Sequence, residues 1–154
     1  MLFRSYHPYH AALQKLLSES ISGFGLAVLI DCHSMPSSLM PPGAGVRPDF
    51  IIGDRFGASA DPRLSQLVRE TLMSFGYDVQ MNRPYAGGYI TEHHGRPSHG
   101  VHAIQIEINR GIYMNETTLQ AKPGFDGLKA DLNDVAAALF AKAPALFELR
   151  SAAE

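Results

Sequence analysis

Apolar positions along the chain fall into blocks of helical and of strand-like spacing. In the opening stretch Tyr9, Leu13, Leu16, Leu17 and Ile21 recur three and four apart, the stripe of a core-facing helix, and Gly23 offers a left-handed stop. Leu26 to Ile30 is a short continuous apolar run, bounded by Gly23 and Gly25 before it and Pro36 after it, which predicts a buried strand near 26–31. Further strands are predicted near 49–52, over 77–81 and over 103–109, the last with Ala103, Ile104, Ile106 and Ile108 set among Gln105, Glu107 and Asn109. Asp61 followed by Pro62 has the form of an N-cap with proline at the first helical position, and Leu64, Leu67, Val68, Leu72 and Phe75 then make one apolar face that Gly76 ends. Leu128, Leu132, Val135, Leu139 and Phe140 mark a C-terminal helix, after which the alanine-rich end is expected to fray. Helices alternating with four strands predict an α/β fold, a three-layer α/β/α sandwich with a mostly parallel central sheet.

Two polar segments interrupt this pattern: 35–47, rich in Pro, Gly and Ser, and 82–100, polar and glycine-rich. Loops of this length inside a compact domain are usually functional. The 154 residues make one domain, 1–154, large enough to bury a core. With 45% apolar and 18% charged residues and a net charge of -2, the chain is neither a disordered acidic segment nor a broad nucleic-acid-binding face, which leaves a small molecule as the expected partner. Cys32 is the single cysteine, so no intrachain disulfide can form and a cytoplasmic location is expected. No apolar run reaches the roughly 18 residues of a membrane span, and the first residues carry no signal-peptide core. A soluble protein follows, with nothing to fix its oligomeric state.

Three polar clusters lie at or just beyond predicted strand ends: Asp31 to Ser34, Asn82 to His94, and Glu107 to Arg110. If the strands are parallel, these clusters converge on one edge of the sheet, where open α/β sheets bind their ligands. The simplest chemistry for them is a hydrolytic metal site. His33 would be a nitrogen ligand, Glu107 the general base for a metal-bound water, and Asn82, Arg83 or Arg110 anchors for an anionic substrate. Zinc suits this role because it brings the pKa of bound water to about 7 and polarises a carbonyl. One histidine is not a zinc site, however, and the chain has neither an HExxH helix nor a cysteine pair. Plainer interpretations stand beside each of these. A lone strand-end His is commonly a hydrogen-bonded structural residue. Glu107, between Ile106 and Ile108, either balances an arginine such as Arg110 or faces a site, because a buried lone carboxylate is costly. His93 and His94 read as solvated loop residues, and His7 and His10, three apart, permit joint metal binding without requiring it. Cys32 is a weak nucleophile candidate, since strand neighbours point to opposite faces. Met35 and Met40 read as packing residues.

The ordered segments YHPYH (Tyr6 to His10), LIDCHSMPS (Leu29 to Ser37), PDFIIGDRFG (Pro48 to Gly57), GYDVQMNRPYAGGYIT (Gly76 to Thr91), the HGRP step at His94 to Pro97, and HAIQIEINRGIYMNE (His102 to Glu116) resemble the N-formylglutamate amidohydrolase family. The resemblance implies a zinc-dependent amidohydrolase that cleaves N-formyl-L-glutamate to formate and L-glutamate, in the last step of one route of histidine breakdown. It also implies a three-layer α/β/α fold like that of zinc carboxypeptidases, in which a strand ending in His-Ser supplies one zinc ligand and a later strand carrying Glu and a basic residue supplies the base. His33 with Ser34 and Glu107 with Arg110 match those positions. Family members carry an additional N-terminal portion with early strands and, by analogy with the carboxypeptidases, the other zinc ligands. This chain starts at MLFRSYHPYH, so an incomplete sheet with an exposed edge and an incomplete metal site are expected. Two alternatives remain: an inactive remnant that serves as a binding or interaction module, and an amidohydrolase acting on another N-acyl amino acid.

Overall fold

The computed structural model describes residues 2–38 and 47–148. Met40, most of the first polar loop and the alanine-rich end at 149–154 lie outside the described residues.

Helix α1 (Leu2–Phe24) leads through Gly25, at φ +68°, into strand β1 (Ala27–Met35). Gly25 and not Gly23 is therefore the left-handed residue that turns the chain, and the helix runs past the predicted stop. The buried face of α1 is narrower than its spacing suggests. Leu17 is buried and Leu13 and Ile21 are half-buried, whereas Tyr9 and Leu16 are 57% and 60% exposed. Strand β2 (Phe50–Gly53) is followed by α2 (Pro62–Ser74), where the Asp61 side chain accepts the backbone N–H of Arg63 and Pro62 opens the first turn, as the sequence predicts. Strand β3 is short (Val79–Met81). The predicted loop 82–100 is instead partly helical: α3 (Tyr89–His94) and a single 3₁₀ turn at Pro97–His99 precede β4 (Val101–Asn109). The one-turn α4 (Arg110–Tyr113) and the long α5 (Phe125–Glu148) complete the chain.

The four strands form one sheet in the order β1–β4–β2–β3. β1 pairs with β4 and β2 with β3 in parallel, but β2 pairs antiparallel to β4. The sheet is thus parallel at two of its three junctions, and the carboxyl ends of β2 and β3 point away from those of β1 and β4. Alternation along each strand sorts its residues onto two faces. On one face Phe50, Ile52, Val79, Ile104 and Ile106 pack beneath Leu64, Val68 and Leu72 of α2 and Leu128, Val135 and Leu139 of α5. A fully buried aliphatic side chain of this kind contributes roughly 1.5–3 kcal/mol, and this layer is the main core. Phe140, which with Leu139 marked the C-terminal helix by spacing, lies on it but is 84% exposed. On the opposite face lie Asp31 and His33 of β1 and Gln105 and Glu107 of β4, partly covered by α1 and α3. The three layers match the predicted α/β/α sandwich. Among the described residues no strand pairs with the outer edge of β1.

Candidate functional site

Each residue of the polar face has a local reason to be there. β1 and β4 run side by side with His33 opposite Glu107 and Asp31 opposite Gln105, so the four side chains stand on one face in two adjacent rows. His33 Nδ1 is 4.0 Å from Glu107 Oε1, and His33 Nε2 is 3.1 Å from Asp31 Oδ2. The imidazole is about half exposed and lies between two carboxylates that are not. Glu107 accepts the Nε2–H of Gln105 at 2.9 Å, and Gln105 in turn accepts the backbone N–H of Gly88 at 2.6 Å.

Arg110 does not neutralise Glu107. Its Nε donates to Ser34 Oγ at 3.1 Å and its Nη2 to the Ser34 carbonyl at 3.2 Å, which ties the end of β4 to the end of β1. Of the two roles open to a carboxylate between Ile106 and Ile108, facing a site is therefore the one the geometry favours. The rim beside these residues is fastened by Glu116, which accepts from both the backbone N–H and the hydroxyl of Ser37. Those two donors hold the Glu116 carboxyl below its usual range.

Asn82 does not converge with His33 and Glu107 at one sheet edge. The antiparallel β2–β4 junction turns the carboxyl end of β3 the other way. Asn82, at φ +60°, donates to Asp54 Oδ1 at 2.8 Å and accepts the backbone N–H groups of Asp54 and Phe56, so its amide staples the turn after β2. Arg83 is exposed.

The other histidines sort differently from their spacing. His94, read as a solvated loop residue, is 4% exposed on α3, and its Nε2 lies 3.1 Å from Nδ1 of His10 on α1. Burial, then the charges of His93, His10 and Arg96, push His94 below the ordinary imidazole value. His93 does stay exposed, packed against Tyr89. His102 is buried on the α2–α5 face and borders a cavity of about 270 Å³ with Asp61, Pro62 and Phe147, at the other end of the strands from Glu107. Its Nδ1 accepts the Asp61 N–H at 3.0 Å, which places the ring proton on Nε2. Cys32 is the strand neighbour of His33 and points to the other face; burial and the adjacent Asp31 raise its thiol pKa, the reverse of what a nucleophile needs.

A cation at this face would find two donors in place. Asp31 Oδ2 is buried without a hydrogen-bond partner, 3.1 Å from His33 Nε2, a spacing suited to two ligands of one tetrahedral ion. The fit is that of one corner of a site. Among the described residues no three His, Cys, Asp or Glu side chains are grouped so as to hold one metal ion.

The sequence profile of N-formylglutamate amidohydrolases matches residues 1–114. The chain belongs to the N-formylglutamate amidohydrolase family. Two N-formylglutamate deformylases are similar to it, one from Pseudomonas putida at 37% identity over 113 residues, 73% of this chain and 42% of that one, and one from Pseudomonas aeruginosa at 38% over 110 residues, 71% and 41%. Among solved structures, an N-formylglutamate amidohydrolase from Ralstonia eutropha superposes with a TM-score of 0.82 at 35% identity, over 90% of this chain and 52% of that one. A protein from Agrobacterium tumefaciens shares the fold at a TM-score of 0.63 and 16% identity, over 91% of this chain and 52% of that one. The chain thus spans about two fifths of the curated relatives and about half of these structures. Its segments that match the family carry the whole polar face, since β1, the 82–100 region and β4 all lie within residues 1–114.

Asp31 and Gln105 are the site residues that the sequence left without roles. Both lie two positions before a singled-out residue on a strand, so period-two alternation was the signal that places them beside His33 and Glu107. No comparable signal marks His94, because α3 is too short for a spacing pattern.

Proposed function

We propose that this polar face is the catalytic half-site of an amidohydrolase that cleaves N-formyl-L-glutamate to formate and L-glutamate, with zinc held in part by His33. The observation that carries the proposal is the pairing of His33 with Glu107 on one sheet face, with Glu107 free of Arg110. The names of the relatives support the substrate. A carboxylate held at the surface of a cleft can take a proton from water as it attacks the formyl carbon, then deliver that proton to the departing amine nitrogen. Glu107 would carry both transfers. A zinc ion, when bound, supplies acidified water and polarises the carbonyl, with His33 Nε2 as one donor, Asp31 Oδ2 beside it, and further ligands from outside the described set. Arg110 and Arg83 supply positive charge for the substrate carboxylates, while the Asn82 side chain is committed to its own turn. This enzyme would act in the cytoplasm, on a small molecule in histidine breakdown; among the described residues no helix is long and apolar enough to cross a membrane.

The test is formate release from N-formylglutamate by the purified protein with added zinc, compared with its Glu107→Gln variant. Loss of a general base lowers turnover by about 10²-fold or more with affinity little changed. A stably folded Glu107→Gln protein that hydrolyses the substrate at the parent rate would rule out the proposed role. A wild-type protein that binds N-formylglutamate without cleaving it would support the binding-module alternative instead.

A further inference from the structure

The amide of Gln105 lies between two groups that leave it only one orientation. Gly88 presents a backbone N–H, which can only donate, at 2.6 Å; Glu107, when ionised, can only accept, at 2.9 Å. The Gln105 carbonyl oxygen therefore faces Gly88 and its NH₂ faces Glu107 Oε1, and a flipped amide would lose both bonds. Gln105 is 5% exposed, so water does not substitute for either partner. Gly88 is itself held in register. The loop that carries it crosses Gly53 so closely that Ala86 and Gly87 backbone atoms lie 2.6 Å from where a β-carbon would stand, and the Arg55 N–H donates to the Ala86 carbonyl at 2.7 Å. Thr91 Oγ1 donates to the Gly88 carbonyl at 2.8 Å and opens α3 there.

We propose that Gln105 is a positioning residue for catalysis: anchored by Gly88, it fixes which oxygen of Glu107 is tied down and which faces the cleft. The proposal rests on Glu107 being the base of the amidohydrolase proposed above. It makes the 82–88 loop, through the Gly88 backbone, part of what sets the base's aim. A carboxylate without the Gln105 bond would rotate about its terminal torsion, which is broad and roughly two-fold. Losing the second partner of a reacting group typically lowers turnover by about 10–100-fold.

Two measurements on the whole chain test this. In ¹H–¹⁵N spectra, the Gln105 side-chain amide protons should be separated and slow to exchange, and should collapse to free-glutamine positions in Glu107→Ala. The Gly88 amide should exchange about 3- to 10-fold faster in Gln105→Leu, the net worth of one hydrogen bond. In formate release, Gln105→Leu should lower kcat by about 10–100-fold with KM within about twofold. Adding Gln105→Leu to Glu107→Gln should cost nothing further, because one residue acts through the other. If the leucine variant does not fold, Gln105→Met keeps the chain length and serves in its place. Free-glutamine positions in the parent protein, or independent additive losses of kcat, overturn the proposal. Full turnover in Glu107→Gln overturns the base assignment and the catalytic role of Gln105 with it, whereas a reduced Glu107→Gln combined with an unaffected Gln105→Leu overturns Gln105 alone.

Discussion

Replacing Gly53 by alanine should destabilise the protein through a contact that no rotamer change can relieve. A β-carbon at Gly53 would stand 2.6 Å from the Ala86 carbonyl carbon and 2.6 Å from the Gly87 nitrogen. Carbon atoms settle at about 3.5–4.0 Å, so strand and loop must part by roughly 1 Å. Both neighbours are backbone, and the loop is pinned by the Arg55 N–H to Ala86 carbonyl bond, so the displacement falls on β2 or on the loop itself. Overpacking of this kind costs about 1–3 kcal/mol, and at about 2–4 °C per kcal/mol for a chain of this size the melting temperature should drop by about 2–12 °C. Gly23→Ala is the matched control, since nothing lies within 4 Å of its β-carbon and it sits in α1. Alanine is up to about 1 kcal/mol better than glycine in a helix, so that variant should melt at the parent temperature or a few degrees higher. Calorimetry of the three proteins in one buffer decides the matter. A Gly53→Ala protein whose melting temperature stays within about 1 °C of the parent, below what even the smallest overpacking cost would give, refutes the close approach of loop and sheet.

Other expectations follow from the core, the cap and the histidines. Leu64→Ala empties a fully buried position between sheet and helices and should cost about 2–5 kcal/mol, read from the urea midpoint. Asp61→Ala removes the cap of α2 and should cost about 0.5–2 kcal/mol at neutral pH. Asp61 is lowered to about 2, first by its hydrogen bond with Arg63, so this contribution is present above the ordinary value of 3.8 and is lost as the pH falls toward 2. His94 and His102 are both lowered, chiefly by burial. Below the ordinary imidazole value of 6.5 the unfolded chain therefore binds more protons than the folded one, and stability should decline as the pH falls from there. Urea unfolding at a series of pH values should show the decline, and it should be shallower in a folded His94→Gln variant.

Much of this protein was legible without coordinates. Spacing placed α2 and its cap, the C-terminal helix, four strands and the α/β/α layering, because periods of 2 and 3.6 report which residues a helix or strand buries. Alternation also separates Cys32 from His33 and puts Gln105 on the face of Glu107. What the sequence could not carry is how the strands are ordered and directed. A strand that pairs antiparallel has the same local pattern as one that pairs parallel, so nothing in Asn82 or Arg83 announces that β3 ends away from Glu107. The partner of Arg110 was equally undetermined, since spacing along the chain leaves both Ser34 and Glu107 open to it and only the β1–β4 pairing brings the serine alongside. His10 and His94 are 84 positions apart and meet only because α1 and α3 cover the same face. Local periodicity fixes which way a side chain points; the long-range pairing of strands, which depends on the whole chain closing on itself, decides what it meets.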